Sequence, residues 1–169
     1  MQKISTNLKK DYETLVKLGI SNIKSNNFSE AIKDLKKAIN IDNKAPLAHI
    51  NLANLHIINK NLDLSQEILF EYIQKFGFNE KVANHLGKIC FKYKKFINLE
   101  KLITLSKLNT NKVEKEKYFI FFLKGRRHEI LDETTKAIIA YKKSIDCNKR
   151  YEQTYNYLLN LLEKTNDFL

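Results

Sequence analysis

Residues 27–42 read Asn27-Phe28-Ser29-Glu30-Ala31-Ile32-Lys33-Asp34-Leu35-Lys36-Lys37-Ala38-Ile39-Asn40-Ile41-Asp42. The apolar residues recur three and four apart, the period of a helix with one packed face. Within that face Ala31 and Ala38 are small and Leu35 is large. Small residues at fixed points let two antiparallel helices approach closely, and the large one fills the space between them.

The stretch is one of a series. Upstream, Gly19 sits in Lys17-Leu18-Gly19. The same mark returns at Asn51-Leu52-Ala53, His85-Leu86-Gly87 and Leu123-Lys124-Gly125. Twelve residues after each mark stand Ala31, Ser65, Leu99 and Ala137. Four further on come Leu35, Leu69, Ile103 and Tyr141, and three beyond those Ala38, Tyr72, Ser106 and Ser144. The step is 34 residues twice, then 38. Between the two helices of each copy lie turn residues: Ser25-Asn26-Asn27, Asn59-Lys60-Asn61, Tyr93-Lys94-Lys95 and Leu131-Asp132-Glu133. Ser29 and Asp63 are the expected N-caps of the second helices. Pro46, the only proline, falls at a boundary between copies, where a helix must stop. One helix pair cannot bury its apolar face alone, so neighbouring pairs must stack.

This pattern resembles the tetratricopeptide repeat, with Leu-Gly in the first helix and Ala, then Leu or an aromatic, then Ala in the second. The copies cover 12–45, 46–79, 80–113 and 118–151, after a lead-in at 1–11. Residues 152–169 read as a further first helix, a cap or an incomplete fifth repeat, with Tyr155, Leu158, Leu159 and Leu162 on one side and Tyr157, Leu161, Phe168 and Leu169 left over as an apolar patch for self-association. The second and third copies depart from the pattern, with bulky Tyr72 and Leu99 at small-residue positions. The four-residue excess reads as a loop at Asn109-Thr110-Asn111-Lys112 followed by a charged helical turn at 113–117. The resemblance implies an all-α protein, a right-handed α-solenoid of antiparallel helix pairs, with each glycine mark buried against the second helix of its own pair.

Composition agrees with helices: Gly is 4 and Pro 1 in 169 residues, too few for the tight turns of an all-β protein. The net charge of +11 rests on Lys+Arg 30 against Asp+Glu 19. Only Arg126, Arg127 and Arg150 are arginines, and the Lys, Asn and Ile excess is that of an AT-rich genome, so charge alone does not assign a polyanion ligand. Nucleic-acid binding needs exposed aromatics beside the cations, and most aromatics here occupy packing positions of the repeat. Cys90 and Cys147 lack metal-site or redox-pair spacing. Together with an N-terminus lacking the apolar core of a signal peptide, they place the protein in a reducing, cytoplasmic setting. No apolar run is long enough for a spanning helix.

No motif for nucleotide, nucleophile or zinc chemistry is present; no catalytic residue, metal or cofactor is expected, and the chain reads as a non-enzyme. His49 and His56 share a helix face and read as packing residues. Arg126-Arg127-His128 reads as a solvated basic cluster.

The family resembled binds extended or helical peptides on a concave face made by its first helices. By spacing, the groove draws on Asn54 with Ile50, Ile57 and Ile58; on Lys81, Asn84 and Lys88 with Phe91; on Phe122 and Arg126 with Phe119; and on Asn156 and Asn160. Asn amides can hold a peptide backbone as donor and acceptor, and Lys and Arg suit carboxylates, so an acidic protein segment is the expected partner. Val16 and Ile20 stand where a chaperone-tail clamp has Lys and Asn, which argues against that ligand. The alternative is the non-catalytic repeat region of a larger transferase of sulfotransferase or glycosyltransferase type, motivated by the unfinished fifth unit.

Overall fold

The computed structural model describes the backbone of residues 2–110 and 117–165 and the side chains of 7–107 and 117–165. Nine helices and no strand occur among the described residues: α1 Gln2–Lys24, α2 Phe28–Ile41, α3 Pro46–Ile58, α4 Leu62–Phe76, α5 Glu80–Lys92, α6 Phe96–Thr110, α7 Lys117–Ile130, α8 Thr134–Cys147 and α9 Glu152–Thr165. The chain forms two compact units, residues 1–86 and 87–169. Asn109 and Thr110, expected in a loop, complete α6; the rest of the inserted segment, 111–116, and the C-terminal Phe168 and Leu169 lie outside the described residues.

The recurring positions are the core. Gly19, Ala53, Gly87 and Gly125, then Ala31, Ser65, Leu99 and Ala137, then Leu35, Leu69, Ile103 and Tyr141, then Ala38, Tyr72, Ser106 and Ser144 are all buried. The joints repeat as faithfully. Asn26, Lys60, Lys94 and Asp132, the middle residues of the four quoted turns, have positive φ of 60°, 62°, 52° and 56°. After each, the next amide reaches back five residues: Asn27 N–H to Asn22 O, Asn61 to His56, Lys95 to Cys90 and Glu133 to His128, at 2.7–2.9 Å. A left-handed residue closed by a six-to-one bond satisfies helix-end carbonyls and reverses the chain. The N-caps of α2 and α4 are Asn27 and Asn61, not Ser29 and Asp63, which lie one residue inside each helix; neither Asn makes a side-chain capping bond. The closing turn sets the start of each second helix two positions earlier than side-chain chemistry alone suggests.

In the first unit, Tyr12, Val16, Leu35, Ala38, Ala48 and Leu52 form one cluster. Pro46 opens α3 from an extended Ala45. Asp42 Oδ1 accepts from the amides of Lys44 and Ala45. The buried Ala48 amide donates to the Tyr12 hydroxyl at 3.2 Å, and burial raises that phenol above its ordinary pKa. Tyr72, the bulky departure from the repeat, donates to Lys44 O at 2.6 Å.

In the second unit, an aromatic cluster joins α7, α8 and α9. Phe122 packs against Tyr141, Tyr151 and Tyr157, with centroids 5.5–6.2 Å apart. A Cβ at Gly19 would lie 2.7 Å from Leu35 Cγ, and one at Gly125 2.4 Å from Tyr141 Cε1, as expected for marks facing their own second helices. Gly87 differs: its closest neighbour is Leu123 of α7 at 3.1 Å, with Leu102 of its own partner α6 at 3.8 Å. The face of α9 is also turned from expectation. Thr154 and Leu161 are buried and Tyr157 packs inward, whereas Leu159 is 57% and Tyr155 38% exposed. The cause is polar as well as apolar: Ser144 Oγ donates to Tyr118 O at 2.8 Å and pairs with Thr154 Oγ1 at 3.0 Å, pinning α9 by its Thr154 side.

Candidate peptide-binding surfaces

The first-helix residues singled out for a groove fall into three environments. Lys81 and Lys88 on α5 and Asn156 and Asn160 on α9 are exposed. Asn54 and Asn84 are half-buried, and Asn54 Oδ1 is engaged by His85 Nε2 at 2.7 Å. Phe122 and Arg126 are inside the second unit, each 5% exposed. The Arg126 guanidinium carbon lies 3.3 Å from the Phe91 ring centroid and 3.6 Å from that of Tyr157. Its charge is met by Glu129 at 3.5 Å. Glu129 in turn accepts from Tyr141 Oη at 2.6 Å, and burial first, then Glu129, pushes the Tyr141 phenol far above its ordinary pKa.

The basic run beside it is internally paired rather than solvated. Arg127 Nε donates to Glu100 of α6, and His128 Nδ1 contacts Glu133 Oε2 at 2.6 Å. Helical spacing does not point to Glu100 as a partner, because it lies 27 residues from its arginine.

The two packing histidines are where the spacing put them. His49 lies edge-on to Tyr72 with centroids 5.0 Å apart and contacts Asn43 O through Nε2 at 3.0 Å. His56 has a buried Nδ1. Burial lowers the pKa of both, with Lys75 and Lys36 adding repulsion at His49 and His56 respectively. Among the described residues no group of His, Cys, Asp and Glu side chains is arranged to hold a metal, and no helix is long and apolar enough to cross a membrane.

Sequence reasoning missed a surface groove in the second unit. It lies between α7 and α8, encloses about 250 Å³ and is lined by Phe121, Lys124, Lys136, Ile139, Ala140 and Lys143, with His128 at one end. These residues lie three, four and seven apart on each helix, so a signal existed.

Helix pairs whose marks recur at steps of 34, 34 and 38 residues define an all-α helical-repeat protein. Residues 22–57 match the family model described as TPR repeat. Among solved structures, the chain is similar to that described under the functional characterization of Pseudomonas aeruginosa pilF, with a TM-score of 0.64 and 19% identity over 95% of this chain and 72% of that one. It is also similar to MamA 41-end from Desulfovibrio magneticus RS-1, with a TM-score of 0.56 and 11% identity over 93% and 86% of the two chains. At these identities the likeness is one of fold. No curated protein matches the chain. Repeats of this type are typically scaffolds for protein–protein interaction.

Proposed function

We propose that the protein is a non-enzymatic scaffold that binds an acidic segment of another protein along its first helices. The observation that carries this reading is the row Lys81, Asn84 and Lys88 on α5, with both lysines exposed. Two cations spaced along one helix attract carboxylates, and the amide can bond a peptide backbone. Within the second unit, the exposed Asn156 and Asn160 of α9 offer similar chemistry, and within the first Asn54 of α3 does. Phe122 and Arg126 serve from below, holding α5, α7 and α9 together within the second unit. An open surface must order a flexible ligand, so affinity is modest and falls with salt. Cys90 and Cys147, neither of them in a disulfide, suit a reducing compartment such as the cytoplasm. The exposed Tyr155 and Leu159 favour weak self-association through α9.

A peptide-display screen with the parent and with Lys81→Glu/Lys88→Glu tests the reading. Both side chains are exposed, so the substitutions spare the fold. Enrichment of acidic peptides that lack a large apolar residue by the parent and its loss in the variant is expected; equal enrichment of these peptides by both overturns the proposal.

A further inference from the structure

We propose that the groove between α7 and α8 is a second, separate docking site for an acidic peptide carrying one large apolar side chain. Its place in the fold sets it apart from the first-helix surface. At 100° per residue, Phe121, Lys124 and His128 lie about 160° around α7 from Phe119, Phe122 and Arg126. The latter are buried in the aromatic cluster, so the former face the opposite way. The two helices run antiparallel in a register fixed by three contacts: Ser144 to Tyr118, Gly125 to Tyr141 and His128 to Glu133.

That register gives the groove a polarity. At one end Glu133 is bonded to both His128 and Lys136, at 2.6 Å each, and this end is locally neutralised. At the other, Phe121 and Lys143 face each other across the groove, with Lys124 and Ala140 between the ends. The Lys124 ammonium lies 5.5 Å from the Phe121 ring centroid, so its stem covers the ring while its charge stays in water. The floor is apolar, and Ile139 is 49% exposed, while the packing of α8 is carried by Ala137, Ala140, Tyr141 and Ser144. An isoleucine left half in water beside a ring and between two lysines has the makeup of a small interface: an apolar seat with a charged rim. The volume suits one side chain of leucine or phenylalanine size. The lining residues of α7 span about 10 Å, or two turns, which limits the ligand to a short segment. The cationic rim selects carboxylates on either side of the anchor. A phosphate ion or a lipid headgroup would use the lysines and leave the apolar seat unfilled, so the peptide is the better fit.

The probe is a fluorescein-labelled twelve-residue peptide with a central Phe flanked by Glu on both sides, read by anisotropy against the full chain. Its Phe→Ser and all-Gln counterparts, inorganic phosphate and phosphatidylserine vesicles are run beside it. Ile139→Glu and Lys143→Glu alter exposed side chains, and circular dichroism melting verifies that each variant folds. Expected is binding of the Phe peptide, at least tenfold weaker in either variant and with either altered peptide, and unchanged in Lys81→Glu/Lys88→Glu. That last variant separates this site from the first-helix surface: its loss of acidic library peptides that lack a large apolar residue, with retention of this probe, leaves each proposal judged by its own data. Equal binding by the parent and both groove variants overturns the inference. So does equal binding of the Ser peptide, or binding of vesicles or phosphate without the peptide.

Discussion

The Arg126 guanidinium lies 3.6 Å from the Tyr157 ring centroid, carrying α7's charge onto α9. Phe91 covers the other side of the same group at 3.3 Å, and Glu129 supplies the counter-charge. A cation 5% exposed is tolerable only because both ring faces and a carboxylate replace water. Glu129→Ala removes the carboxylate and also strips Tyr141 of its acceptor. It is expected to destabilise the chain by about 2–4 kcal/mol. Arg126→Met/Glu129→Gln, which removes both charges and keeps the shape, is expected to recover more than half of that loss. Urea unfolding of the single and double variants measures the coupling. A double variant as unstable as Glu129→Ala would show that the ring sandwich, not charge compensation, is what matters.

The glycine marks make a graded prediction. At Gly125 a methyl group would fall 2.4 Å from a carbon of the fully buried Tyr141 ring, which is held by neighbours and by Glu129. At Gly87 it would fall 3.1 Å from Leu123 Cδ2, the end of a side chain that can turn aside. Gly125→Ala is expected to cost about 1–3 kcal/mol through overpacking, and Gly87→Ala well under 1 kcal/mol, since alanine also favours helix. Thermal melts of the two variants side by side decide it; equal losses would mean that the helix pairs relax alike.

Two buried serines at small-residue positions are expected to respond with opposite sign. Ser144 bridges Tyr118 O and Thr154 Oγ1, so Ser144→Ala leaves a buried carbonyl and a threonine hydroxyl wanting partners, at about 1–2 kcal/mol. Ser65 Oγ is buried with no hydrogen-bond partner, so Ser65→Ala removes a desolvated hydroxyl and is expected to stabilise by up to about 1 kcal/mol. Calorimetric melting of both variants checks the signs, and a stability loss at Ser65→Ala would reveal a bonded water there.

The contrast between these serines shows what the sequence could and could not carry. Spacing alone found the small and large positions at each helix pair, because repetition at 34 residues records packing that every copy must solve. Position does not tell a bonded serine from an unbonded one. The Ser144 bridge depends on Thr154, which follows in the next pair and carries no repeat mark. The same holds for Arg126. Helical spacing put it on a ligand face, but Phe91 of α5 and Tyr157 of α9 close over it. Exposure along a first helix is thus set by the neighbouring pair, whereas Lys81, Lys88, Asn156 and Asn160 were legible as surface because their long or polar side chains had no competing aromatic. The α7–α8 groove was visible as spacing in both helices, yet only the register between them makes it a groove.

Acid should weaken the first unit in a defined way. Burial depresses the pKa of His49 and of His56 below the ordinary 6.5, with Lys75 and Lys36 reinforcing the effect at each. Both imidazoles are therefore held neutral in the fold, while in the unfolded chain they take up protons from about pH 6.5 downward. Below that value the unfolded state binds more protons, so stability falls with pH. The contribution is complete above 6.5 and is lost progressively as pH drops toward the folded pKa values. His49→Phe keeps a ring against Tyr72 and Phe76, and His56→Leu removes a buried nitrogen that lacks a partner. Urea midpoints are expected to fall between pH 7.5 and 5 for the parent and to stay flatter for the double variant, with carboxylate effects common to both. Parallel pH curves for the two proteins would place the acid sensitivity elsewhere and show that both imidazoles protonate in the folded chain as readily as in the unfolded one.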